Sequence, residues 1–284
     1  MKKKVISVLL AGILSVAMLA ACGQDKEDNT AAESTQEEGT QEEETNAASE
    51  ESEEGGTFTV GFDQEFPPMG FVDDNGEYTG FDLELAEEVA NRLGLTFVAQ
   101  PIAWDAKDME LESGTIDCIW NGFTINGRED LYTWTDPYLK NAQVFVVADD
   151  AITGKADLAG KIVEVQADSS AEKALKDDPE LTDTFGNLQT VADYNTALMD
   201  LEQGSVDAIA MDKVVAAYQI EDRGDAFTIL EETLQEEEYG VGFLKENTQL
   251  RDKVQAALEE MAKDGTLAEI STKWFGEDIT IIGK

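Results

Sequence analysis

Histidine is absent from all 284 residues. The commonest side chain for proton transfer near neutral pH, and the commonest imidazole ligand for zinc, is therefore missing. Cysteine is nearly absent too, with Cys22 and Cys118 alone. Cys22 closes an apolar leader and Cys118 lies in an apolar stretch, so the exported part has no disulfide and depends on its core. Cys118 is expected to be core filler. Basic residues are few: 20 Lys and Arg stand against 61 Asp and Glu, for a net charge of −41. Nucleic acid is excluded as a partner because phosphate binding needs a basic surface, and anionic headgroups would be repelled. No Cys or His cluster suggests zinc, no DxDxDG suggests calcium and no glycine loop suggests a nucleotide; neither a metal nor a cofactor is expected.

Long apolar runs are lacking as well, save one. Met1-Lys-Lys-Lys precedes a small and apolar run from Val5 to Ala21, and Leu19-Ala-Ala-Cys22 ends it. This has the form of a bacterial secretory signal, too short for a comfortable membrane span. A small-residue site ending in Cys resembles the lipobox, which would make Cys22 the lipidated first residue of a membrane-anchored protein. From Gly23 to Gly56 there is no aromatic, Leu, Ile or Val, and thirteen Asp or Glu face one Lys. Such a segment cannot form a core and is expected to be a self-repelling, disordered tether.

What the rest of the chain does have is a repeat. The pattern LExGx(I/V)DxI occurs as Leu111 to Ile119 (LESGTIDCI) and as Leu201 to Ile209 (LEQGSVDAI). In each copy a helix should end at a Gly (Gly114, Gly204) and an apolar strand should be entered through an Asp. Two such αβ units imply two similar α/β lobes with a cleft between them. Ligands of open α/β sheets sit beyond the carboxyl ends of the strands. Asn121 to Arg128 and Met211 to Lys213, just past the two copies, are therefore the first candidates for ligand contacts. Elsewhere the pattern predicts strands at Phe58 to Phe62, Thr96 to Val98, Ile116 to Trp120 and Val144 to Ala148 in the first lobe. The second lobe should hold strands at Ile162 to Val165, Val206 to Met211 and Phe227 to Leu230. Asp82 is expected to cap a helix to Leu93, and two amphipathic helices, Thr248 to Lys263 and Leu267 to Trp274, should pack on the first lobe.

Seven segments in order carry a family resemblance: GFDQEFPPMGF (Gly61 to Phe71), GEYTGFDLELAEEVA (Gly76 to Ala90), SGTIDCIWNGFTINGRED (Ser113 to Asp130), WTDPY (Trp134 to Tyr138), DLAGKIVEVQADSSAE (Asp157 to Glu172), GSVDAIAMD (Gly204 to Asp212) and DGTLAEISTKWFG (Asp264 to Gly276). The chain resembles the polar amino-acid-binding proteins of ABC importers. That resemblance implies an α/β, type II periplasmic-binding-protein fold of two Rossmann-like lobes joined by two hinge strands, near Val146 to Asp149 and Glu238 to Val241. The expected divisions are 1–22 signal and lipobox, 23–56 tether, 57–147 plus 240–284 lobe one, and 148–239 lobe two.

The resemblance also assigns roles. Arg128 would hold the ligand carboxylate with backbone N–H groups of Thr124 and Ser170, and Asp212 would take the ammonium with the Gly122 carbonyl and Thr124 hydroxyl. A guanidinium and a carboxylate are the chemically suited partners. Ser169 and Ser170 open a helix whose N-terminus favours a carboxylate. Asp63, Phe66, Trp104 and Phe123 align with the side-chain pocket, and Asn121 completes the set. Asp63 and the aromatic rings suit an extended or cationic side chain. The expected partners are a free polar L-amino acid, an ABC permease and the membrane through Cys22, with the protein monomeric on the extracytoplasmic face, in a Gram-positive cell. Two other classes stand beside this one: an enzyme on the same fold, dehydratase-like, and the ligand-sensing domain of a receptor, which would need a membrane span after Lys284.

Overall fold

The computed structural model describes residues 55–284, apart from Asp222 and the side chain of Asp225. Cys22 and almost all of the expected tether lie outside the described residues. Two main sheets organise the rest. In the first the strands run in the order Thr96–Pro101, Thr57–Phe62, Cys118–Ile119, Gly242–Phe243, Thr133–Trp134. The first three are parallel and the last two antiparallel to their neighbours. In the second the order is Asn187–Val191, Ile162–Gln166, Ala208–Asp212, Leu139–Val147, Thr228–Ile229, and Gln235–Tyr239 also pairs along Leu139–Val147. Here too a parallel trio meets antiparallel partners.

The duplicated pattern performs one piece of local chemistry twice. Asp117 N donates to Thr59 O at 2.8 Å while Asp117 Oδ2 accepts from Thr59 N at 2.7 Å. Asp207 repeats this with Ile162, at 2.9 and 2.8 Å. Each Asp thus ties the incoming strand to the first residues of its parallel neighbour. Gly114 and Gly204, at φ 75° and 73°, supply the left-handed turn before it, a conformation that costs most residues about 1 kcal/mol or more. Leu111, Leu201, Ile116 and Val206, the apolar positions of the two copies, are all buried. Period-two burial follows: Ile209 and Met211 enter one apolar cluster, Ala208 and Ala210 another on the opposite face of the sheet.

Three expectations are corrected. The strand containing Val144 belongs to the second sheet, since Met211 lies opposite Val144 and Ile209 opposite Val146. It returns antiparallel, a pairing that chain order cannot reveal, and is buried at every position but Lys140. The chain therefore passes between the sheets at Thr135 to Tyr138 and at Gly240 to Val241, so the first passage precedes Val146 to Asp149. Secondly, Asp82 is not the helix cap. Helix Phe81–Leu93 starts after Gly80 with no side-chain cap, and Asp82 is fully buried. Its Oδ2 accepts from Gly122 N at 2.6 Å and from Tyr138 O–H at 2.9 Å, pinning the cleft loop and the first passage together. Thirdly, the expected strands at the repeats are shorter, Cys118–Ile119 and Ala208–Asp212, each starting just after the Asp that ties it to its neighbour.

Helices Thr248–Asp264 and Thr266–Phe275 return to helix Phe81–Leu93. Arg92 donates to Asp264 Oδ2 at 2.8 Å and to Thr266 Oγ1 at 3.1 Å, and Phe81 meets Phe275 edge to face at 5.0 Å. Edge-to-face geometry adds about 1 kcal/mol to area burial.

Burial holds the Asp82 carboxyl up at about 7, although the bonds from Gly122 and Tyr138 pull it down. A carboxyl with a folded value above its unfolded one binds its proton more tightly in the native state. Its stabilising contribution is complete below about pH 4 and is lost as pH rises through about 7. Thermal denaturation from pH 5 to 8 should therefore show stability falling with pH. Asp82→Asn should flatten that slope by up to a few kcal/mol, and an unchanged slope would mean that Asp82 carries none of it.

Candidate functional site

The loop after Cys118–Ile119 enters the cleft through Gly122, whose φ is 56°. A Cβ there would sit 3.0 Å from Phe66 and 3.1 Å from Tyr239, so glycine serves both conformation and clearance. Six residues on, the Arg128 guanidinium is buried. It donates only to carbonyls, Thr124 O at 3.4 Å and Asp168 O at 3.3 Å, and lies 5.3 Å from the Phe123 ring. Among the described residues no carboxylate forms an ion pair with it. A dry guanidinium whose contacts are long and neutral keeps unused capacity to pair with an anion. Across the cleft, Ser169 caps helix Ser170–Asp177 by accepting from Glu172 N at 3.1 Å, and Ser170 Oγ accepts from Thr124 O–H at 3.1 Å.

Asp212 ends its strand at the same cleft, 4 % exposed. Its Oδ1 accepts from Tyr239 O–H at 2.6 Å, Gln143 Nε2 at 2.8 Å and Asn141 Nδ2 at 2.9 Å. Asn141 and Gln143 also donate to Glu237 Oε1, at 2.6 and 2.8 Å. Burial raises the Asp212 carboxyl above its ordinary value, against these bonds. The cleft thus presents a buried cation on one lobe and a buried anion on the other, each held by uncharged neighbours.

Asp63 forms the third wall. Its Oδ1 accepts from Glu65 N at 2.9 Å, and its Oδ2 from Gln166 Nε2 at 2.6 Å. Gln166 spends its other N–H on Ala192 O at 2.9 Å. Burial lifts the Asp63 carboxyl to about 6 despite the bonds from Glu65 and Gln166. Trp104, in a short 3-10 turn, and Phe66 complete the apolar sides.

Contacts between the lobes shut the cleft. Lys107, buried on the first lobe, ion-pairs with Asp168 of the second. Asn195 donates to Glu65, and the Gln166 to Asp63 and Thr124 to Ser170 bonds cross the same gap. The space enclosed is about 10 Å³, roughly what one water needs. A wider recess of about 450 Å³ adjoins it, sharing Asp63 and Trp104 and lined further by Glu65, Asp105 and Asp193.

Of the residues singled out in the sequence, Asp63, Phe66, Trp104, Asn121, Gly122, Thr124, Arg128, Ser169, Ser170 and Asp212 surround that one space. Phe123 does not. It is wholly buried, edge to face with Trp104 at 5.6 Å and stacked under Arg128, so it braces two wall residues from behind. Gln166 lines the space and was missed; it ends strand Ile162–Gln166, where the strand-end rule applied to that strand would have found it. The amides behind Asp212 were missed too. Their signal was two polar residues, Asn141 and Gln143, spaced to one face of a strand that is apolar but for them and Lys140.

Comparison with known proteins gives this geometry a family. The model of the bacterial extracellular solute-binding proteins, family 3, matches residues 58–277. The L-cystine-binding protein TcyJ of Escherichia coli K12 is 35 % identical over 231 residues, covering 80 % of this chain and 85 % of that protein. The L-cystine-binding protein TcyA of Bacillus subtilis 168 is 31 % identical over 284 residues, 99 % of this chain and 100 % of that protein. Among solved structures, an ABC uptake transporter substrate-binding protein from Streptococcus pneumoniae with bound histidine superposes at a TM-score of 0.76 with 38 % identity, covering 79 % of this chain and 94 % of that one. The chain belongs to the bacterial extracellular solute-binding proteins, family 3.

Proposed function

We propose that this protein captures one free polar amino acid between its lobes and delivers it to an ABC permease, anchored to the outer face of the membrane by a lipid on Cys22. The observation that carries the reading is the pairing of a buried Arg128 that lacks a carboxylate partner among the described residues with a buried Asp212 across the same small space. A zwitterion satisfies both at once, its carboxylate on the guanidinium and its ammonium on Asp212. The cystine-binding relatives and the histidine-bound structure support the same ligand class. The wall favours a long side chain ending in a cation: Asp63 is met only by neutral donors, and Glu65, Asp105 and Asp193 line the recess beyond it. Trp104 offers a face on which a guanidinium can lie, contributing about 0.5 to 2 kcal/mol.

A thermal-shift panel of the twenty amino acids with cystine and ornithine should yield a few stabilising ligands. In calorimetry with those ligands, Arg128→Ala and Asp212→Ala should each cost about 2 to 5 kcal/mol, because each leaves a ligand charge buried and unpaired. The loss should be similar for every accepted amino acid, and amidated or N-acetylated analogues should bind poorly. Wild-type affinity in Arg128→Ala would remove Arg128 from the site. Asp63→Asn should weaken Arg, Lys or ornithine selectively and spare neutral ligands; an equal loss across all of them would argue against a side-chain role. For the anchor, Cys22→Ser should release protein from the membrane or leave it unprocessed, and mass spectrometry finding an unmodified Cys22 after cleavage elsewhere would refute it.

A further inference from the structure

We propose that Asp212 and Glu237 share one proton before the ligand arrives and give it up when the ligand ammonium docks, so that capture releases a proton. This rests on the reading of Asp212 as the ammonium acceptor, and it makes Glu237 a positioning residue of that site.

Geometry carries the case. Asn141 Nδ2 stands 2.9 Å from Asp212 Oδ1 and 2.6 Å from Glu237 Oε1, and Gln143 Nε2 stands 2.8 Å from both. The two carboxylates therefore crowd onto the same pair of amide nitrogens. The Asn141 amide cannot be turned to relieve this, because its Oδ1 accepts from Val214 N at 3.3 Å. Gln143 Nε2 lies 2.8 Å from Ser170 Oγ as well, so three oxygens face a group with two hydrogens. A proton held between the carboxyls supplies the missing hydrogen.

Among the described residues no Lys or Arg forms an ion pair with either carboxyl; Arg128 faces Asp212 only across the space the ligand would fill. The groups facing Glu237 are Tyr239 on its own strand, Asp212, the amides of Asn141 and Gln143, and Tyr194 from helix Tyr194–Glu202. All are neutral or acidic. Burial first and Asp212 second hold the Glu237 carboxyl up at about 8, and burial raises Asp212 too. Two like charges in a dry site cannot both ionise without compensation. An arriving ammonium changes that balance, bringing a positive charge and three donors against Asp212. Glu237 Oε2 and Gln143 Oε1 are both buried without a partner among the described residues, so neither offsets the charge of the pair. The proton then leaves to solvent, which balances the charge of the site.

Calorimetry on the full chain tests this with L-arginine or L-cystine, whichever binds in the panel. Near pH 7, titrations in phosphate and in Tris, whose ionisation enthalpies differ, should report release of close to one proton per ligand. Affinity should rise about tenfold per pH unit from pH 6 and level off near 8. Glu237→Gln should abolish the release and flatten the profile. Equal binding enthalpies in the two buffers would overturn the proposal on wild-type protein alone, whether or not the variant folds. Proton release that persists in Glu237→Gln would overturn it as well. If neither ligand nor any other amino acid binds, the amino-acid reading itself falls and this falls with it.

Discussion

A carboxylate taken out of water with no cation beside it must be met by every donor within reach, and the cleft is arranged around four such groups. Asp82 takes the Gly122 N–H and the Tyr138 hydroxyl, joining a helix, the cleft loop and the first passage between sheets. Asp63 takes Glu65 N from its own lobe and Gln166 from the other. Asp212 takes Tyr239, Gln143 and Asn141, and Glu237 shares the two amides. Each burial is unfavourable for the charged form. The donors that offset it hold the backbone of the cleft in one geometry.

One of these groups, Asp212, together with Arg128, explains why the site is divided. The cation, Arg128, is delivered by the first sheet's loop and the anion, Asp212, by the second sheet's central strand. Neither half alone meets both charges of a zwitterion, so under the proposed function ligand and closure stabilise each other. The direct contacts across the gap are mostly polar, including Lys107 to Asp168, Asn195 to Glu65 and Thr124 to Ser170. Polar contacts exchange with water at small net cost, which under the proposed function suits a cleft that opens to admit its ligand.

The acidity of the chain takes on a use in this frame. Asp63, Glu65, Asp105 and Asp193 gather at the recess beside the enclosed space, and a cleft lined by one sign of charge concentrates ligands of the other. Arg128 and Lys107 are the buried positive groups of the cleft, and Asp168 meets both, through its carbonyl and its carboxylate.

The sequence by itself determined the two-lobed α/β plan, because a repeat with a turn glycine and a strand-entry aspartate encodes a local structure that forms the same way wherever it occurs. Asp117 and Asp207 make the same bond pair for that reason. It also determined about half of the wall, Asn121 to Arg128 and Asp212, since the segments after the two repeat strands end at the cleft by topology. Only the tertiary structure decided where Leu139–Val147 pairs, that Asp82 is a buried pin rather than a cap, that Phe123 braces the wall from behind, and that Glu237 stands behind Asp212. Those four are contacts between segments far apart in the chain. Local propensity sees only near neighbours, so a polar residue on a buried face looks alike whether it caps, braces or shares a proton.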